Sequence, residues 1–211
     1  MATIKRKNKF NAYENPTPQG KLVAAAAKFG NKGLRNSQGS TVVIYDHLLL
    51  PQGLQPVGTT LKFFENAASR QFPFTNLQEG RLPVAEGFVL ERMWFTVMQV
   101  LTATGEVLAV NAVGLASVGL YKSDFAFFNA NNRVIKPTPM VKQMAQFNWK
   151  SWNAVNEVIH LDTDITVQPL IQFKCEVNLP AVTLPVSPTI SYYMGCYCEG
   201  SGAIMNPRAN F

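Results

Sequence analysis

The fold is decided by residues 59–100, which read TTLKFFENAASRQFPFTNLQEGRLPVAEGFVLERMWFTVMQV. Two apolar runs, at residues 61–64 and 88–100, flank a polar loop rich in Pro, Gly and Asn. Short β-favouring runs separated by such turn residues are typical of strands in an antiparallel sandwich or barrel. The stretch offers no evident pair of nucleophile and base, so it predicts an all-β scaffold rather than a catalytic centre.

The second apolar run has the alternation of a strand with one face in the core. Val89, Met93, Phe95 and Val97 approximate a period of two, and polar residues interrupt them. Because side chains two apart on a strand share a face, we expect these four to lie on one face of the strand.

The rest of the chain extends the β pattern to eight or nine strands. Segments rich in β-branched and aromatic residues, bounded by turn residues, predict strands that include residues 42–49, 61–64, 88–101 and 190–198. Pro137 and Pro139 predict a loop, followed by one or two helical turns at residues 140–147. With 47% hydrophobic and 15% charged residues among 211, the chain can form one all-β domain with apolar surface left for partners.

Positive charge is concentrated at the N-terminus. Residues 1–40 hold eight basic residues and one acidic residue, a net charge of +7, whereas residues 41–211 hold eleven basic and twelve acidic residues, a net charge of −1. We therefore divide the chain into a basic arm with a short helix, residues 1–40, and a β domain, residues 41–211. The arm predicts contact with a polyanion or with neighbouring subunits, through Lys5, Arg6, Lys7, Lys9, Lys21, Lys28, Lys32 and Arg35.

A solvated tail is the alternative interpretation of the arm. Phe10 and Tyr13 interrupt its charges, which a tail needed only for solubility would not require. No membrane span is predicted from residues 107–121, an uncharged run of 15 residues where a spanning helix needs about 20. Three cysteines are too few for a disulfide framework, so we expect reduced thiols and cytoplasmic synthesis.

The chain has few histidines from which to build a catalytic or metal site. His47 and His160 are its only histidines, too few for a His-rich metal site. Asp162 and Asp164 stand beside His160, but they lack the glycine and distal glutamate of a calcium-binding EF-hand loop. Solvated or interface carboxylates are the favoured interpretation.

A second possible metal site is the Cys196-x-Cys198 pair. The two thiols would share one face of a strand and could bind zinc with two further ligands, but Cys175 is the only other cysteine. We expect buried small side chains instead. The chain is therefore predicted to use no metal, no cofactor and no catalytic residue.

Aromatic residues raise the question of base stacking. Phe125, Phe127 and Phe128, with Trp149 and Trp152, could stack on unpaired bases. Stacking grooves normally pair aromatic rings with Lys or Arg, and the β domain has no excess of positive charge. Packing in the core or at a subunit interface is the favoured interpretation.

The order LKFFEN, then FPFTNLQEGRLPVAEGF, then an apolar strand resembles jelly-roll capsid proteins of small tailless icosahedral viruses and phages. The resemblance covers roughly residues 41–100. It implies a single eight-stranded jelly roll whose basic arm lines the shell interior. The partners it implies are copies of the chain, other virion proteins and genomic nucleic acid bound without regard to sequence. It implies a place in the virion, after synthesis in the host cytoplasm.

Three other hypotheses stay open at this point. A compact double jelly roll would need about sixteen strands, eight for each roll, which is many for this length. A single-strand nucleic-acid-binding β-barrel with a basic tail would also explain the charge distribution. An enzyme or lectin on a jelly-roll scaffold is a third possibility, because a fold alone does not fix function.

Overall fold

The computed structural model describes residues 37–70, 74–77, 80–83, 86–111, 119–140 and 158–205. These ranges form an antiparallel β protein, which confirms the all-β prediction. Their only helices are two single 3-10 turns, Ala67–Ser69 and Leu120–Lys122, so no helix in them is long and apolar enough to cross a membrane. The strands are β1 (Ser37–Leu50), β2 (Gly53–Gln55), β3 (Thr60–Phe63), β4 (Glu86–Leu101), β5 (Val107–Asn111), β6 (Asp124–Asn129), β7 (Asn132–Pro139), β8 (Ile159–Val167), β9 (Phe173–Asn178), β10 (Val182–Leu184) and β11 (Ile190–Met205).

The strands form three sheets, and every pairing between them is antiparallel. The first sheet has the order β1-β11-β4-β5, and β8 also pairs with β4. Because β11 occupies one edge of β4, the other edge is shared: β8 pairs with residues 88–93 and β5 with residues 97–100. The second sheet has the order β3-β9-β6-β7, and β10 pairs with β2 in a two-stranded sheet.

The two larger sheets pack face to face through aromatic side chains. Phe95 of the first sheet lies between two rings of the second, with centroid distances of 6.4 Å to Phe63 and 5.2 Å to Phe125. All three side chains are at most 1% exposed. Full burial of such a side chain contributes about 1.5–3 kcal/mol, so this contact is a main source of cohesion between the layers.

The shared face predicted on β4 is correct for Met93, Phe95 and Val97, which belong to the core cluster, but not for Val89, which is buried at 6% exposure outside that cluster. Pairing with both β11 and β8 skips Glu91, which forms a bulge. The extra residue reverses the alternation, so Phe88 and Leu90 join the core cluster and Val89 does not. Alternation read along the sequence assumes an unbroken ladder, and a bulge breaks it.

The loop predicted from Pro137 and Pro139 is wrong as well. Both prolines belong to β7, which is the last strand of the second sheet. A proline lacks an N–H donor but is tolerated at a sheet edge, and the pairing with β6 is irregular around Pro137. The described ranges hold eleven strands rather than eight or nine because β2, β7 and β10 were not predicted.

Candidate functional site

The basic arm residues predicted to bind a partner lie outside the described residues. The same holds for Trp149, Trp152, the short helix of the arm and residues 141–147. Their roles therefore stay predictions. Strand β1 begins at Ser37, four residues before the predicted start of the β domain.

The core interpretation of the Phe125 segment is confirmed for two of its three rings. Phe125 and Phe127 are 1% and 0% exposed, so neither can stack on a base. Phe128 lies half-buried between two cations, Arg133 and Lys174, each with its charged group 5.1 Å from the ring centre. Both distances are within the range of cation–π attraction.

The three cysteines are buried thiols, as predicted. Cys175, Cys196 and Cys198 are all 0% exposed and none is in a disulfide. Burial raises the pKa of the Cys196 thiol well above its usual value and also raises the pKa of Cys175. The thiol of Cys196 hydrogen-bonds with both of the others. Reactive thiols are the opposite kind, exposed and of low pKa, so these three are packing groups.

Metal ligands do not converge in the part of the chain that the structure describes, where no group of three His, Cys, Asp or Glu side chains could hold an ion. His160 is exposed on β8. The side chains of Asp162 and Asp164, on the same strand, lie outside the description.

The free edge of β1 is covered by residues 74–77, part of the loop that the sequence marked as decisive. The main-chain N–H of His47 donates to the carbonyl of Phe74 at 2.8 Å, and the N–H of Asn76 donates to the carbonyl of Tyr45 at 3.4 Å. The Asn76 side chain extends the pattern. Its Oδ1 accepts from the N–H of Tyr45 at 2.9 Å, and its Nδ2 donates to the carbonyl of Val43 at 2.6 Å. An edge strand closed in this way is protected against pairing with another chain.

Asp46 fixes the turn that leads into this loop. Its carboxylate is 0% exposed and accepts from the N–H of Phe64 at 2.6 Å. It also accepts from Arg70 Nε at 2.8 Å and Nη2 at 2.7 Å, a bidentate pair. Phe64 and Asn66 have positive φ angles of 68° and 56°, which costs energy for residues with a side chain. The buried ion pair holds this strained turn in place.

His47 connects β1 to β11 and to the segment 74–77. Its Nδ1 lies 2.9 Å from the carbonyl of Phe74, and its Nε2 lies 2.9 Å from Oη of Tyr197. Because a carbonyl oxygen only accepts, Nδ1 carries the proton of the neutral ring, and the Tyr197 hydroxyl donates to Nε2. Burial lowers the pKa of His47, although the carbonyl of Phe74 and the charge of Asp46 oppose that effect. Both ring nitrogens are therefore engaged in hydrogen bonds that link β1 to Phe74 and to Tyr197.

The space for the imidazole comes from Gly195, opposite His47 on β11. A Cβ at Gly195 would lie 2.8 Å from the His47 ring and 2.8 Å from Oγ1 of Thr96. A glycine is thus required here by the close approach of two side chains on neighbouring strands.

An aromatic face lies on the side of the first sheet that is turned away from the core. Ile44, Phe95 and Cys196 are core residues, so their chain neighbours point to the opposite side. Trp94 and Tyr197 stack there with ring centres 5.1 Å apart and planes 5° from parallel. We define the aromatic face by Tyr45, Phe74, Trp94, Tyr193 and Tyr197, all half-buried.

The outer face of the second sheet is charged instead. Lys174 contacts Glu176 at 2.7 Å and Glu65 at 3.8 Å, and Lys62 contacts Glu65 at 3.4 Å. The pairing with Glu176 is the main cause that raises the pKa of Lys174. The two outer faces therefore differ in chemistry: the charged one suits water, and the aromatic one suits stacking or apolar contact with a partner.

Sequence reasoning did not find the aromatic face, although a signal was present. On β11, Tyr193, Gly195 and Tyr197 alternate with the core residues Met194 and Cys196. Comparison of the chain with models of known protein families and with curated proteins found no match in either case.

Proposed function

We propose that the chain is a structural virion protein, a single jelly-roll capsid subunit that assembles with copies of itself into an icosahedral shell. The observation that carries the proposal is the nested pairing of eight strands: β1, β3, β4, β6, β7, β8, β9 and β11 in chain order. The first pairs with the eighth, the second with the seventh, the third with the sixth and the fourth with the fifth.

Nested antiparallel pairing is what a long hairpin gives when it rolls up into two sheets. Two further pairings, β11 with β4 and β9 with β6, join the nested pairs into the orders β1-β11-β4-β8 and β3-β9-β6-β7. This arrangement supports an eight-stranded jelly roll with Greek-key connections. It favours a single roll over a compact double one, because the other three described strands, β2, β5 and β10, are short.

Jelly rolls occur in capsid proteins, lectins and cupins, so function has to be argued from other features. The net charge of +7 on residues 1–40, against −1 on the rest, supports a role in neutralising nucleic-acid phosphates inside a shell. Such contacts position a chain on nucleic acid without reading its sequence. The aromatic face and the exposed aliphatic side chains supply surface for contacts with other copies.

A second candidate is a single-strand nucleic-acid-binding β-barrel protein. The aromatic face favours it, because aromatic rings that reach the surface can stack on bases of any sequence. Arg92 lies beside these rings but is paired with Glu199 at 2.7 Å, which reduces its availability to a phosphate. The two candidates differ in which part of the chain carries the affinity.

One binding experiment separates them. Fluorescence anisotropy with a labelled single-stranded oligonucleotide is measured against salt for the full chain and for a full-length variant with the eight arm Lys and Arg residues changed to Gln. The arm mechanism predicts a log–log salt slope of roughly −4 to −6, from about 0.7 per phosphate neutralised, and loss of binding in the variant. If the protein is a nucleic-acid-binding barrel, the arm variant keeps its affinity for the oligonucleotide. Trp94→Ala then weakens the free energy of binding by about 1–3 kcal/mol.

Assembly is the direct test of the capsid proposal. Sedimentation velocity at micromolar concentration, over a range of salt and pH, is expected to show oligomers well above the mass of one chain. A monomer under every condition would contradict the proposal.

A further inference from the structure

The most exposed aliphatic side chains in the described residues lie on the two-stranded sheet of β2 and β10 and on the turns that flank it. We define the tip as residues 51–59 and 180–189, which contain this sheet and its flanking turns. Leu54, Val57 and Val186 are 74%, 78% and 77% exposed. Monomeric soluble proteins scatter single exposed apolar residues, but three on one small element point to a contact surface.

The side of the tip opposite its exposed side chains packs against the core. Val182 and Leu184 of β10 belong to the core cluster. Gln52 donates to the carbonyl of Ile190 at 2.7 Å and accepts from the N–H of Ser187 at 3.0 Å. The exposed side chains therefore stand on an anchored ribbon, and a partner would not have to order it on binding.

The tip also contains no charged residue. Residues 41–211, which include the tip, carry a net charge of only −1, so copies of the β domain repel each other little. Two tips that meet place no like charges together and bury aliphatic surface on both sides. Nucleic acid or a charged peptide would find no opposite charge there. In the part of the chain that the structure describes, β2 and β10 pair only with each other, so each keeps one edge for main-chain bonds.

We propose that the tip is the surface through which neighbouring copies of this chain contact each other. This inference rests on the proposed function and names one of the contacts by which the subunits assemble. Its occupant is a second copy of the same tip.

Cysteine cross-linking tests the contact, because the three native cysteines are all 0% exposed. Leu54→Cys adds an accessible thiol at the tip. A short bis-maleimide joins two such thiols: each sulfur bonds to one carbon of a maleimide double bond, and the thiol proton passes to the other carbon. Covalent dimers on a denaturing gel are expected for this variant, and none for the unchanged chain.

Val134→Cys is the matched control, since Val134 is 43% exposed on β7, outside the tip. We expect at least about tenfold more dimer from the tip variant, because tips in contact raise the local concentration of the two thiols. Equal yields from the two variants, or no dimer from Leu54→Cys, would overturn the proposal. Thermal unfolding of each variant checks that the fold is unchanged.

A charge swap tests whether the contact is between like surfaces. Leu54→Lys and Leu54→Glu are each expected to raise the concentration needed for association by about tenfold, because like charges would meet without apolar burial. An equal mixture of the two variants should restore association, since unlike charges then face each other. If both variants associate as the unchanged chain does, the tip is not the contact.

The outcomes separate this inference from the proposed function. Shells that form normally from Leu54→Lys would overturn the tip contact and leave the capsid proposal standing. Cross-linked pairs from a chain that never forms shells would support the tip contact and contradict the capsid proposal.

Discussion

The substitution Asp46→Asn should destabilise the protein more than any exposed charge change. The side chain keeps its shape but loses the charge that accepts three hydrogen bonds, one from Phe64 and two from Arg70. Arg70 is only 20% exposed, so its guanidinium would be left without a partner in a poorly solvated position. Breaking one side of a buried pair costs about 3–5 kcal/mol. The turn at Phe64 would lose its anchor at the same time.

Urea unfolding followed by tryptophan fluorescence measures this loss. With a slope of about 2–3 kcal/mol per M of urea, the midpoint should fall by about 1–2.5 M. Glu199→Gln is the matched control, because its pair with Arg92 is more open to water: the side chains of Glu199 and Arg92 are 21% and 42% exposed, against 0% and 20% for Asp46 and Arg70. Pairs open to water contribute about 0–1 kcal/mol, so the control should move the midpoint by less than about 0.5 M.

A double substitution separates the ion pair from other effects of the change. Asp46→Asn with Arg70→Gln should cost less than the sum of the two single changes, because no unpaired charge remains. If Asp46→Asn shifts the midpoint no more than Glu199→Gln does, the buried pair does not hold the turn, and the reasoning is refuted.

Three further changes test other parts of the fold by the same urea assay. Gly200→Ala should lower the free energy of unfolding by about 3 kcal/mol or more, because the new Cβ would lie 1.8 Å from the carbonyl oxygen of Val89. A decrease of less than about 1 kcal/mol would contradict this. Asn76→Ala should cost about 1–3 kcal/mol and increase aggregation, measured by light scattering, because the edge of β1 loses two hydrogen bonds. Because the pKa of His47 is lower in the folded chain than in the unfolded chain, the unfolded chain takes up the proton at higher pH as the pH falls. The free energy of unfolding should therefore be constant above about pH 6.5 and decrease as the pH drops from there through the folded pKa. His47→Gln should remove that fall, and an unchanged pH profile would refute the assignment.

Local patterns predicted the strands well where each depends on its own residues. The strands expected at residues 42–49 and 88–101 are β1 and β4, and the turn after β4 contains Gly105, whose positive φ of 72° favours glycine. Burial of Phe125 and Phe127 also agrees with the packing role predicted for them, which rested on the absence of excess positive charge in the β domain. For the strands, the signal lies within a few consecutive residues.

Features that depend on distant partners were not predictable in this way. The bulge at Glu91 appears only when β4 is paired with β11 and β8. Edge position makes Pro137 acceptable in a strand, and the sequence does not say which strand is at an edge. Asn76 was read as a turn residue, whereas its amide bonds to β1, more than thirty residues earlier in the chain.

The candidate site also combines a feature that local sequence predicts with one that depends on distant strands. The charge of the arm is visible in the sequence alone, but the aromatic face is assembled from β1, β4, β11 and the segment 74–77. Alternating tyrosines on β11 gave one part of that face, and the other rings join it only through strand order.

Electron microscopy of the purified full-length protein tests the central claim most directly. Negatively stained samples at micromolar concentration are imaged over a range of salt and pH, with a single-stranded oligonucleotide added to half of them. The account predicts closed particles of uniform diameter, or regular rings of subunits, with more of them when the oligonucleotide neutralises the arm. Isolated single subunits in every condition, with and without nucleic acid, would contradict it.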